Sequence, residues 1–151
     1  MDRFSPYLLI LGVLVVWSGL WITGSHAFSR LSGWAELAKH YRQVDAFTGH
    51  RFLFQSALIR NRLFGFRGTL IVGANARGLL LRVLAPFSFG HPSLFVPWEE
   101  ITCPPAKGGS LRTYIRLEFE RSRSVPLIIS RQLALKLAES SQGALSVPGA
   151  I

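Results

Sequence analysis

The sequence predicts an α+β fold that is mainly β. It consists of an N-terminal transmembrane helix (5–26), a juxtamembrane amphipathic helix (32–43) and an antiparallel β-sandwich or partly open barrel closed by a C-terminal helix (50–142), followed by a flexible tail (143–151). Three observations predict this order. An uncharged apolar segment stands first, short apolar runs separated by turn residues fill the middle, and an apolar stripe with helical spacing comes last.

The N-terminal segment has the length and composition of a membrane span. No Asp, Glu, Lys or Arg occurs from Phe4 to Ser29, and Tyr7–Thr23 is almost wholly apolar. A spanning helix needs about 20 such residues, and backbone groups in lipid must be satisfied within the helix. Trp17 and Trp21 lie toward one end, as expected for rings that favour the headgroup region.

A cleaved signal peptide is the alternative for this segment. Ser25-His26-Ala27 fits a small-x-small cleavage site. Against cleavage, Asp2 offsets the charge of Arg3, and the apolar stretch is longer than the usual core of about 7–15 residues. We therefore favour an uncleaved anchor.

The charge distribution predicts the orientation and the class of partner. The chain carries a net charge of +9, with 14 arginines and 3 lysines, and arginine is suited to phosphate and carboxylate partners. Arg3 alone precedes the span, whereas many basic residues follow it, so the positive-inside rule places the C-terminal domain in the cytoplasm. The single cysteine, Cys103, agrees with a reducing compartment.

Helical and strand patterns follow the span in order. Trp34, Leu37, Ala38 and Tyr41 share one helical face, which we expect to pack on the following domain rather than lie flat on lipid. Ser130 is expected to cap the last helix, and Gly143 to end it. The predicted strands are Phe52–Ile59, Gly68–Gly73, Gly78–Leu84, Leu94–Ile101, Thr113–Glu120 and Val125–Ile129.

Two segments carry a resemblance to a known group. Gly78 followed by Leu79-Leu80-Leu81, and later Val96-Pro97-Trp98-Glu99-Glu100-Ile101, are similar to a pattern of bacterial PH-like and GRAM-like domains. The chain also resembles uncharacterised bacterial single-span inner-membrane proteins over about two thirds of its length, and the matching segments are Ser32–Arg42, Gly68–Leu84 and Gly90–Ile101. The resemblance implies a PH-like β domain at the bacterial inner membrane, in which Gly78, Pro97, Trp98 and Ile101 are structural signature residues.

The segment Phe89–Ile101 looks most like an active site, but we predict a structural role for it. Glu99 and Glu100 are adjacent on a predicted strand, so their side chains point to opposite faces. Trp98 is expected to lie on the same face of this strand as Leu94 and Val96 and to anchor the core. His91 is expected in an exposed loop and has no assigned role. No nucleophile, base and oxyanion set is recognisable and the histidines lack metal-ligand spacing, so we expect no catalytic residue, metal or cofactor.

The best functional signal is a basic segment between the first two predicted strands. Arg60, Arg62 and Arg67 flank Phe64 and Phe66, and we predict that this loop binds lipid headgroups or a partner, with both phenylalanines dipping into the interface. The alternative is a solvated loop with two core phenylalanines.

These features leave two functions open. The first is a non-enzymatic module that binds anionic lipid headgroups or a neighbouring membrane protein. The second is an accessory or assembly subunit of an inner-membrane complex, which docks on protein without lipid specificity. Nucleic acid is not expected, because the chain has no recognition motif and its domain is tethered to a membrane.

Overall fold

A computed structural model describes residues 5–105 and 113–149. The strands form one seven-stranded antiparallel sheet in the order β4-β3-β2-β1-β7-β6-β5, which curls into a nearly closed barrel and confirms the predicted mainly β fold. The elements are α1 (Ser5–Ser32), α2 (Trp34–Tyr41), β1 (His50–Ile59), β2 (Phe64–Ala74), β3 (Gly78–Val83), β4 (Leu94–Pro97), β5 (Ile101–Thr102), β6 (Tyr114–Phe119), β7 (Leu127–Ser130) and α3 (Arg131–Ser140).

The two end strands of the sheet are consecutive in the chain. The predicted single strand Leu94–Ile101 is wrong in this respect, because a 3-10 turn at Trp98–Glu100 separates β4 from β5. This turn carries the chain from one end of the sheet to the other. The Trp98 indole N–H donates to the Asn75 carbonyl at 2.7 Å, which holds the corner against the β2–β3 turn.

Helix α1 continues beyond the predicted end at residue 26. It has 28 residues, or about 42 Å at roughly 1.5 Å per residue, and an 18-residue window of it has a mean hydropathy of 2.0 with none of that window buried. By length and composition it can cross a membrane. Its last turns stay helical and contact the barrel, burying Ser29 and Ser32.

A single residue joins α1 to α2. Gly33 has a φ of 89°, and a Cβ there would lie 2.6 Å from Cγ1 of Val125, so both the backbone and the space require glycine. Trp34, Leu37 and Tyr41 of α2 are buried in the barrel core, which confirms the predicted packing of this helix on the domain. The apolar helix is therefore fixed to the barrel without a flexible linker.

The C-terminal tail is packed, contrary to the prediction of a flexible segment. Leu145 and Val147 are buried in the core cluster, and the Arg131 guanidinium donates to the carbonyls of Pro148 and Gly149. The apolar residues alternate along the tail, which lets them cover the core beside α3. Residues 150 and 151 of the predicted tail lie outside the described part of the chain.

Candidate functional site

The β3–β4 loop, residues 84–93, lies along α1. The Trp21 and Phe87 ring centroids are 5.4 Å apart, and the Trp21 indole N–H donates to the Pro86 carbonyl at 3.3 Å. Phe87 and Phe89 remain 43% and 48% exposed. This loop therefore places two exposed aromatic rings beside the apolar helix.

Sequence reasoning missed this loop as a candidate contact surface. A signal was present, since no Asp, Glu, Lys or Arg occurs between Arg82 and Glu99. A loop without charge that carries exposed aromatic residues is unusual on a water-facing surface.

The predicted basic loop is instead a tight turn engaged with the rest of the domain. Arg60, Asn61 and Arg62 have φ values of 51°, 55° and 70°. Nη2 of Arg60 lies 3.6 Å from Oε2 of Glu36 in α2, and the Arg62 guanidinium lies 6.0 Å from the centre of the Tyr114 ring. The turn thus sits beside α2, beyond the C-terminal end of α1.

The two phenylalanines belong to β2 and face α1 and the core. Phe66 is 6% exposed and packs against Phe28 and Trp34, with ring centroids 5.6 and 5.3 Å away, so the prediction that it dips into an interface is wrong. Phe64 is half-buried, with its ring centroid 5.5 Å from that of Phe28. Antiparallel pairing of Phe66 with Ala57 turns its side chain inward. The exposed apolar residue of the turn is Leu63, at 73%.

Arg67 is the one predicted basic contact that lies beside α1. It is exposed on β2 and lines a cavity between this strand and the helix. The cavity has a volume of about 540 Å³. Its walls come from α1, from β2 and from the β3–β4 loop, and they include Leu20, Gly24, Phe66, Phe87 and His91.

His91 is buried rather than exposed, which corrects its predicted position. It is 5% exposed and its ring lies between those of Phe28, Trp34 and Phe66, with centroids 5.6 to 5.9 Å away. Nδ1 is 2.9 Å from the Phe89 carbonyl oxygen, which can only accept, so Nδ1 carries the proton. Nε2 is buried and has no hydrogen-bond partner within residues 5–105 and 113–149.

Burial is the main cause that lowers the pKa of His91 below its usual 6.5, and His26 nearby lowers it further. At a pH between the lowered pKa and 6.5, His91 binds a proton in the unfolded chain but not in the folded chain. The free energy of unfolding should therefore be highest above pH 6.5 and fall as the pH is lowered through 6.5. Thermal unfolding of the full chain in detergent between pH 8 and pH 5 measures this. The variant His91→Gln should show a weaker fall, and an unchanged fall would exclude His91 as its source.

The remaining predicted residues form the corner that closes the barrel. Gly78 pairs with Pro97, Trp98 is 7% exposed, and Ile101 pairs with Phe119. Glu100 accepts from the Arg121 guanidinium at 2.9 Å.

The two glutamates and the cysteine show no arrangement for shared chemistry. Glu99 is exposed whereas Glu100 is partly buried, and they follow each other in the 3-10 turn rather than in a strand. Burial raises the pKa of the Cys103 thiol to about 11, so this group stays protonated at neutral pH.

Comparison with known proteins gives no further assignment for this site. No family model, no curated protein and no solved structure matches the chain.

Proposed function

We propose that the chain is a single-pass protein of the bacterial inner membrane, and that its PH-like barrel is a non-enzymatic module binding anionic lipid headgroups at the cytoplasmic face. The observation that carries this proposal is the contact of the β3–β4 loop with the apolar helix, with Arg67 beside it. The one-residue junction at Gly33, where an added Cβ would lie 2.6 Å from Cγ1 of Val125, supports a fixed orientation of the barrel relative to α1.

The length of α1 supports a position at the lipid surface. About 20 residues cross the hydrocarbon core, so a span that begins at Ser5 ends near Gly24. Trp21 then lies near the interface, and Phe87, which packs on it, lies at the same depth. Aromatic rings favour that region of a bilayer. Phe89 lines a depression with Trp17, four residues deeper along the helix.

The charges support anionic lipid as the ligand. A basic side chain near an anionic surface gains about 1 kcal/mol, and a guanidinium matches the geometry of a phosphate group. Arg67 is exposed beside α1, whereas Arg60 and Arg62 are engaged by Glu36 and Tyr114 beyond its end. We therefore assign Arg67 the main headgroup contact and the two turn arginines a secondary one.

The test is the thermal stability of the full chain in nanodiscs of phosphatidylglycerol compared with phosphatidylcholine. Binding to the folded state raises the midpoint, and about 1 kcal/mol corresponds to about 4 °C. Arg67→Gln should remove most of the difference, as should high salt. Arg77→Gln is the matched control, because Arg77 is also exposed but lies at the opposite end of β3 from the β3–β4 loop.

An equal midpoint in both lipids for the unmodified chain would contradict the proposal.

The alternative, an assembly subunit that docks on protein, has one supporting observation. Leu53 and Phe54 are 52% and 72% exposed at an irregularity of β1, where Phe54 has a φ of 56°. A stoichiometric partner retained in mild detergent, together with no effect of lipid charge, would favour this second function.

A further inference from the structure

We infer that the cavity between α1 and the barrel binds one acyl chain of an anionic phospholipid whose phosphate contacts Arg67. This inference rests on the proposed function, because the chain would enter from the bilayer that α1 spans. The proposed function alone requires only a general attraction between a basic surface and a charged membrane. The inference adds a specific lipid-binding site within one molecule, between α1 and the barrel.

The size of the cavity suits a lipid chain. Its volume of about 540 Å³ lies within the range of roughly 300–1,000 Å³ typical of small-molecule sites. A glycine on α1 keeps part of this space open. Gly24 lines the cavity, and a Cβ placed on it would have no atom within 4 Å.

The walls have the chemistry that an acyl chain requires. Leu20 and Trp21 line one side, and Phe28, Phe66 and Phe87 contribute aromatic rings. Water in a space lined by such groups finds few hydrogen-bond partners. A hydrocarbon chain that moves from the bilayer into this cavity stays in apolar surroundings, so the move carries no cost of exposing apolar surface to water. The buried His91 ring adds no charge at neutral pH, since its pKa is lowered by burial.

The entrance also fits entry from the membrane. Leu20 is 66% exposed on α1 and continues the apolar surface formed by Val13 and Val16. A chain could therefore slide from the bilayer into the cavity without crossing a charged surface. Arg67 is exposed and is among the residues that line the cavity, so a phosphate that follows the chain has a guanidinium available as its charged partner.

Native mass spectrometry of the full chain, released into detergent from phosphatidylglycerol nanodiscs, tests the inference. The unmodified protein should retain one phosphatidylglycerol. Gly24→Leu fills the cavity with a side chain that suits a helix and should reduce the lipid-bound fraction at least about fivefold. Gly12→Leu is the matched control, because Gly12 is also an open helical glycine but does not line the cavity. It should retain the lipid.

One further variant and two competing compounds complete the test, and the competitors separate this site from general headgroup attraction. Arg67→Gln should also lose the bound lipid, and lysophosphatidylglycerol should displace it whereas glycerol 3-phosphate, which has no chain, should not. Retention of the lipid by Gly24→Leu would overturn the cavity site but leave the nanodisc stability test of the proposed function intact. Absence of a retained lipid in the unmodified protein would overturn the inference as well. Equal unfolding midpoints of the unmodified chain in phosphatidylglycerol and phosphatidylcholine nanodiscs would instead contradict the proposed function itself.

Discussion

Replacing Trp34 with alanine is expected to lower the free energy of unfolding by about 3–5 kcal/mol. Trp34 is fully buried where α2 enters the barrel, and its ring packs against Phe66 and His91 with centroids 5.3 and 5.6 Å away. Its indole N–H donates to the Pro92 carbonyl at 2.9 Å. Alanine leaves a cavity, and it also leaves that carbonyl without its donor.

The measurement is chemical unfolding of the full chain in detergent, followed by near-ultraviolet circular dichroism. Trp34→Phe keeps most of the packing and removes the hydrogen bond, so this variant should lower the free energy of unfolding by about 1–3 kcal/mol. Leu135→Ala is the surface control, because Leu135 is 39% exposed on α3, and it should change the stability by about 0.5 kcal/mol or less. A Trp34→Ala variant as stable as this control would show that the α2 contact does not hold the domain together.

Replacing Gly78 with alanine is expected to cost about 3 kcal/mol by forcing β3 and β4 apart. A Cβ at this position would lie 2.4 Å from the backbone oxygen of Val96 and 2.7 Å from Cζ of Phe95. The first contact is with backbone that is paired in the sheet, where Gly78 lies opposite Pro97. No side-chain rotation relieves it, so the strands must separate at the corner that closes the barrel.

Gly65→Ala provides the comparison for this strand glycine. The nearest atom to its added Cβ is Cδ2 of Leu58 at 3.1 Å, which is the end of a flexible side chain. The free energy of unfolding should therefore fall by less than about 1 kcal/mol. Thermal unfolding of both variants in the same detergent measures the difference. Equal midpoints for the two variants would contradict the close approach of β3 and β4 at Gly78.

Periodicity predicted most elements of the fold. The sequence predicts a strand at Thr113–Glu120, and β6 lies within this range, with Ile115, Leu117 and Phe119 buried on one face. The same reasoning failed at Trp98–Glu100, because a local pattern cannot indicate that the chain must cross between the two ends of a closing sheet. That requirement arises only when all seven strands are assembled.

The candidate site was less accessible to sequence reasoning, because its residues meet only in the folded chain. Arginines on both sides of Phe66 indicated a surface loop, whereas the pairing of Phe66 with Ala57 decides which way its ring points. His91 was predicted to lie in an exposed loop, where the following Pro92 favours an extended backbone. Its burial depends on rings from three separate elements, which are α1, α2 and β2.

The segment after α2 limits how another protein could bind the barrel. Arg42 forms an isolated antiparallel bridge with Leu94, and the Gln43 N–H donates to the Ser93 carbonyl at 2.8 Å. The outer edge of β4 therefore already has a backbone partner at its start, and the strand has only four residues. Recognition by adding a strand needs a free and extended edge. At β4, a partner protein would have to bind through side chains rather than extend the sheet.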